Sequence, residues 1–233
     1  MTDLVWYAAY GSNLLAARFA VYLTGGPVPH RPRPTTQAGA RDPSPPRRWE
    51  RAELPHELLF AGASPGWGGG GVAFLDPRAQ AAGEAPTLGR SWLITAEQFE
   101  DVFRQENGMG VPGSDAHPGS GPGARVEVGD GPLFDVADLA PGEHIDVVGR
   151  WYGRVLRLAD GPDGRPVATF TTGDPDHPPS AAAQPPYLRT VGLGLIETWG
   201  LDADDAAARL AACAGNRGVV DPAELAADLR RHR

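Results

Sequence analysis

Short apolar runs alternate along this chain with stretches where little apolar recurs, and the spacing inside each run predicts its element. Leu4 to Tyr10 is rich in aromatic and β-branched residues and stops at Gly11-Ser12-Asn13, the pattern of a buried strand entering a tight loop. Leu14, Leu15, Phe19 and Leu23 then recur at helical spacing, and Gly25-Gly26 is placed to end that helix. Glu57-Leu58-Leu59-Phe60-Ala61, Val72-Ala73-Phe74-Leu75 and Ser91-Trp92-Leu93-Ile94 read as strands of a mixed or antiparallel sheet. Thr95 followed by Gln98 is a capping-box pattern opening a helix with Phe99, Val102 and Phe103 on its apolar face, which puts Glu106 in the last turn. Arg150 to Leu158 and Arg165 to Thr172, joined by Asp160-Gly161-Pro162-Asp163-Gly164, predict a hairpin at which the sheet ends. Leu188, Val191, Leu195 and Trp199 then mark one face of a helix, and Asp202 and Asp221 are expected N-caps of two more.

Between these runs lie two irregular regions. Pro27 to Arg51 holds seven prolines and six arginines and is expected to be a long, solvated surface loop, too Pro-rich for a central strand. Asn107 to Gly149 is dominated by Gly, Pro and acids, with strand fragments at Val126 to Val128 and Ile145 to Val148. At 233 residues the chain is expected to form a single domain over 1–233, with irregular insertions at about 27–53 and 108–149 and a helical C-terminal part at about 186–233.

Composition narrows the chemistry. All 21 basic residues are Arg, so Schiff-base lysines, Walker-type phosphate loops and Ser–Lys dyads are excluded. The 31 Gly and 24 Pro fall just short of the share that marks wholesale disorder. A net charge of −8 disfavours nucleic acid as a partner, and no apolar run approaches the roughly 18–20 residues that span a bilayer, so no membrane partner is expected and a cytoplasmic location is. Cys213 is the one cysteine and reads as a buried structural thiol on an apolar helix face. The six histidines are scattered without ligand spacing, so no metal site is expected. Gly68-Gly69-Gly70-Gly71 leads into a strand and lacks the Lys-Ser/Thr of a phosphate cradle, which favours close backbone packing. Ser12 lies in a strand-to-helix turn that is not a nucleophile elbow.

Tyr10-Gly11-Ser12-Asn13 is the feature with chemical content, because a glycine turn opening a helix presents N–H groups that favour an anion. An ordinary strand–helix turn explains it equally well. Tyr10-Gly11-Ser12-Asn13-Leu14 with Arg18 beyond it resembles the N-terminal signature of the gamma-glutamylcyclotransferases. Trp67-Gly68-Gly69-Gly70-Gly71-Val72-Ala73 is similar to that family's Trp-Gly-Gly segment, and Phe103-Arg104-Gln105-Glu106-Asn107 to its stretch ending in Glu-Gly. Pro185-Pro186-Tyr187 with Gly192, Gly194, Gly200 and Leu201 resembles its tyrosine-led C-terminal helix. The resemblance touches residues 4–23, 58–107 and 150–201; Asn107 stands where the family has Gly, and the two insertions are longer than expected.

The resemblance implies an α+β fold with a mixed or antiparallel sheet curling into a small barrel with flanking helices. It implies an amide-cleaving, lyase-type enzyme without water or cofactor, acting on a small-molecule γ-glutamyl substrate and releasing 5-oxoproline. Glu106 would be the general base and acid, Tyr10, Gly11, Ser12, Asn13 and Tyr187 the substrate-binding residues. Arg18 reads as an anchor of the turn or helix. The altered insertions point to a leaving group other than a free amino acid. The alternative is a non-catalytic module that binds a small molecule or partner in the same cavity.

Overall fold

The computed structural model describes residues 3–81, 83–113, 129, 131–174 and 178–233. Its strands are β1 (Leu4–Ala9), β2 (Gly26–Pro27), β3 (Thr36–Gln37), β4 (Arg48–Leu54), β5 (His56–Ser64), β6 (Gly70–Ala79), β7 (Thr87–Thr95), β8 (His144–Asp146), β9 (Arg154–Asp160) and β10 (Pro166–Thr171). Its helices are α1 (Ala16–Thr24), α2 (Ala96–Glu106), α3 (Pro185–Trp199), α4 (Ala203–Ala212) and α5 (Pro222–His232). The architecture is α+β. A six-stranded sheet runs β4-β7-β1-β10-β9-β8, mixed because β1 pairs with β10 in parallel while the other pairings are antiparallel.

Side-chain alternation along β1 assigns its neighbours to two cores. Val5, Tyr7 and Ala9 face α1 and α2, meeting Phe19, Phe99, Val102 and Phe103. Ala8 and, just past the strand, Tyr10 face the other way, toward β5, β6 and the C-terminal helices. The expected caps are all present. Thr95 and Gln98 exchange both bonds of a capping box, and Asp202 and Asp221 accept from Asp205 N and Ala223 N. No helix among the described residues is long and apolar enough to cross a membrane.

Five expectations are corrected. Among the described residues no sheet closes into a barrel: β5 and β6 form a separate two-stranded sheet. The backbone groups of β6 that a closing strand would take are occupied by side chains instead. Tyr187 Oη accepts from Ala73 N at 3.1 Å, Tyr152 Oη donates to Ala73 O at 2.9 Å, and Thr171 Oγ1 binds both Leu75 N and Leu75 O. The edge is thus satisfied without a ladder.

Second, the 27–51 region is mostly surface, as expected, but it is not irregular throughout: it holds the end of β2, all of β3 and the start of β4, an edge strand that begins only after the last proline of the segment, Pro46. It is also fastened to α2: Gln105 brackets Gly39, donating to Gly39 O and accepting from Gly39 N, Gln98 donates to Asp42 O and Ser44 O, and Asp101 accepts from Arg41 N and Nε. Third, the Gly11 turn opens a short 3-10 segment, Ser12–Leu14, and α1 starts only at Ala16, because Leu15 is extended (ψ 121°). Fourth, Cys213 is half-buried just past the end of α4, donating to Arg209 O, since the helix stops one residue before it. Arg150 to Gly153 also forms a turn rather than the start of the hairpin strand, and Ile145 sits in the short edge strand β8. Val126 to Val128 lies outside the described residues. The glycine run packs backbone against backbone as expected: a Cβ on Gly71 would stand 2.1 Å from Ala181 O.

Candidate functional site

Between the open edge of β6, the Gly11 turn, the end of α2 and the 31–37 segment lies a cavity of about 70 Å³. All five tyrosines of the chain line it. So do all six residues singled out from the sequence as site residues: Tyr10, Gly11, Ser12, Asn13, Glu106 and Tyr187.

Close approach of backbone sets this geometry. A Cβ on Gly11 would stand 3.0 Å from Tyr187 Oη and 3.2 Å from Ala73 Cβ, so only glycine lets α3 and β6 close on the turn. Gly194 does the same from the helix, where a Cβ would lie 2.5 Å from Leu14 Cβ. These two contacts deliver Tyr187 to the turn. Ala73 N donates to its hydroxyl oxygen, and its own proton makes no bond to the protein among the described residues. Tyr10, in contrast, lines the cavity with its hydroxyl donating to Phe170 O at 2.8 Å.

Glu106 is half-buried at the last residue of α2. Asn13 Nδ2 donates to its Oε1 at 3.2 Å and to Tyr7 Oη at 3.0 Å, while the Asn13 carbonyl is held by Trp92 Nε1. Asn13 Oδ1 is buried with no protein partner. Asn107, in the place of the family's glycine, has φ −95° and needs no left-handed backbone; Gly108 takes that conformation at φ 67°. Its Nδ2 donates to Phe103 O and Tyr152 O, tying the 150–152 turn to α2, and its Oδ1 is a second buried acceptor without a protein partner. One side of the cavity therefore presents acceptors: a carboxylate and two amide oxygens.

The opposite character comes from residues whose role the sequence did not reveal. Arg18, in the first turn of α1, is 1% exposed. Its Nη2 donates to Tyr22 Oη at 2.6 Å and its guanidinium lies 4.1 Å from the Tyr22 ring centroid, but Nε and Nη1 have no protein partner. Arg31 lies over the Trp67 ring at 5.0 Å, with Nη1 on Thr35 Oγ1. Tyr7, Tyr22 and Tyr152 complete the lining. The spacing of Arg18 and Tyr22, four apart on the buried face of α1, was a signal for that pair; nothing local marked Arg31.

Burial pushes the phenol of each of the five tyrosines upward, and the Glu106 carboxylate adds to every one of these shifts; Tyr187 rises to about 12. All five phenols are neutral across the physiological range. No group of His, Cys, Asp and Glu suited to a metal ion occurs among the described residues.

No family model matches the chain. Over 221 residues, 88% of the chain, it is 34% identical to Histone deacetylase 5 of Arabidopsis thaliana, and it spans 30% of that protein's length. The activity in that name belongs to the whole of a longer protein. A solved gamma-glutamyl cyclotransferase superposes with a TM-score of 0.48 at 15% identity, covering 99% of this chain and 100% of that one. That likeness is too slight to transfer the role of any residue.

Proposed function

We propose that the chain is a gamma-glutamylcyclotransferase-like enzyme, cleaving a γ-glutamyl amide by attack of the substrate's own α-amine on its γ-carbonyl. The observation that carries this reading is the Glu106 carboxylate, half-buried and held by the Asn13 amide 3.2 Å away, in a cavity rimmed by neutral phenols. An α-ammonium fits beside the Glu106 carboxylate, in the part of the lining that also holds Asn13 and Asn107. Glu106 takes a proton from the ammonium, the freed nitrogen bonds to the γ-carbon, and the bond from that carbon to the departing nitrogen breaks as Glu106 returns the proton to it. In becoming the ring N–H, the α-nitrogen sheds two of its three protons, and the departing amine takes up the same number in leaving as ammonium. No water or lysine is required. Holding the glutamyl chain folded toward ring closure supplies the proximity term, worth up to about 7–11 kcal/mol in the best intramolecular cases. Tyr187, with its hydroxyl proton free, is placed to donate to the oxygen that gains charge.

The 31–37 side of the cavity belongs to an insertion longer than the family pattern, and this favours a γ-glutamylated amine or metabolite over glutathione as the source of the leaving amine. Glu106→Gln is expected to keep the fold and abolish release of 5-oxoproline across a panel of γ-glutamyl-alanine, glutathione and γ-glutamyl amines. Wild-type-like turnover by that variant would sink the assignment. Binding of 5-oxoproline by the wild-type protein with no turnover of any γ-glutamyl compound would instead support a sensing module.

A further inference from the structure

The acceptor side of the cavity is matched by Glu106 and its neighbours, but the two guanidiniums opposite have no use in the reaction just described. Arg18 is the more demanding of them. A guanidinium buried to this depth normally faces a carboxylate, because desolvating it alone is strongly unfavourable. No carboxylate lies within ion-pair distance of Arg18 or Arg31 among the described residues; Arg18 has a phenol and the face of the same ring, and two of its nitrogens have no protein partner. Arg31 is brought to the same cavity by Trp67 and Thr35, with its Nε likewise unpartnered. Gly66 makes room for it: a Cβ there would stand 2.6 Å from Arg31 Nη1. Burial and the charge of Arg18 both act against the charged form of Arg31, so the two cations repel each other across the space they line.

We propose that Arg18 and Arg31 form a carboxylate clamp, so that the ligand of this cavity carries a planar anionic group beside its amine. In the open substrate this is the α-carboxylate of the glutamyl head; in the product it is the ring carboxylate of 5-oxoproline. The identity of that ligand rests on the cyclotransferase reading, while the clamp rests on the two unpaired guanidiniums. An anion between them relieves their repulsion and offers a free N–H of Arg18 an acceptor that it lacks.

The test is to measure the dissociation constants of 5-oxoproline and its neutral analogue 5-oxoprolinamide by calorimetry for the wild type, Arg31→Gln, Arg18→Gln and Glu106→Gln. The wild type should prefer the anion by at least about tenfold, and Arg31→Gln should reduce that preference to about twofold or less. Arg18→Gln is expected to do the same; if it fails to fold, the half-buried Arg31 decides alone. Equal binding of the two compounds by the wild type, no detectable binding of either at millimolar concentration, or an intact preference in Arg31→Gln would each overturn the clamp. Glu106→Gln should keep the preference while losing turnover. A Glu106→Gln protein that still releases 5-oxoproline removes the cyclotransferase reading and leaves the anion preference to stand or fall by itself.

Discussion

The two walls of the cavity are built on different physical terms. On one side Asn13 and Glu106 sit at the ends of β1 and α2, and each is held by bonds to neighbouring regular elements: Asn13 by Trp92 and Tyr7, Glu106 by Asn13. On the other side Arg31 stands on a Pro-rich segment whose only regular structure nearby is the two-residue pairing of β2 and β3. That second wall is held in place from outside, by the side chains of α2. A wall made of element ends has its geometry set by the elements; a wall made of loop has its geometry set by whatever the loop is fastened to. The first suits proton transfer, where sub-ångström placement matters, and the second suits selection among ligands, where it can vary without disturbing the chemistry.

The sharpest way to break this contrast is at Asn13. Asn13→Ala removes the amide that orients Glu106 while leaving the Asn13 carbonyl on Trp92. Turnover is expected to fall by about 100-fold, the lower end of what a positioned acid/base contributes, with KM changed much less. Steady-state kinetics on the best substrate of the panel check this; a loss confined to KM would mean that Asn13 only binds. Gln105 tests the other wall. It donates to Tyr22 O and Gly39 O and accepts from Gly39 N, so Gln105→Ala releases the segment carrying Arg31 and leaves three buried backbone groups short of a partner. At about 1 kcal/mol for each group, the fold should lose about 3 kcal/mol. At a temperature where the variant is still folded, KM should rise by about tenfold with kcat nearly kept. An equal fall in kcat would show that the walls are not independent.

Legibility in the sequence follows the same division. The Thr95–Gln98 box and the Asp202 and Asp221 caps were readable because their hydrogen bonds close within three residues. The meeting of Tyr10–Asn13 with Glu106 and Tyr187 was readable only through the family resemblance, since 93 residues separate Asn13 from Glu106 and no local rule spans that interval. Closure of the sheet was misjudged because whether β6 finds a strand or a set of hydroxyls depends on Tyr152, Thr171 and Tyr187, from three distant parts of the chain. Composition points the Arg-rich stretch toward solvent, and most of it is surface, but it does not run free. What overrides composition is Gln105, whose bonds to Gly39 cross 66 residues, and Asp101, fully buried and raised in pKa by that burial although Arg41 pulls it down. Tyr7, Tyr22 and Tyr152 reach the cavity from three separate elements by the same kind of long-range packing.

A third region belongs to neither wall and sets the baseline for both. Asp228 of α5 accepts two hydrogen bonds from Arg189 of α3, at 2.7 and 3.0 Å, and so braces the helix that carries Gly194 and Tyr187. The bonds from Arg189 hold the Asp228 carboxyl below its usual value of 3.8. A carboxylate whose pKa is depressed by folding contributes stability above its unfolded value, and that contribution disappears as the pH falls through the folded value. Asp228→Asn should therefore cost about 1 kcal/mol at neutral pH, as expected for a half-buried pair, and the gap to wild type should narrow progressively below about pH 4. Denaturant titrations of both proteins at several pH values measure the gap directly. Because Arg189 and Asp228 make no hydrogen bond or ion pair to Glu106 or Arg31, the anion preference of the cavity should be unchanged in the folded variant. A lost preference would mean that the position of α3 determines the second wall as well as the first.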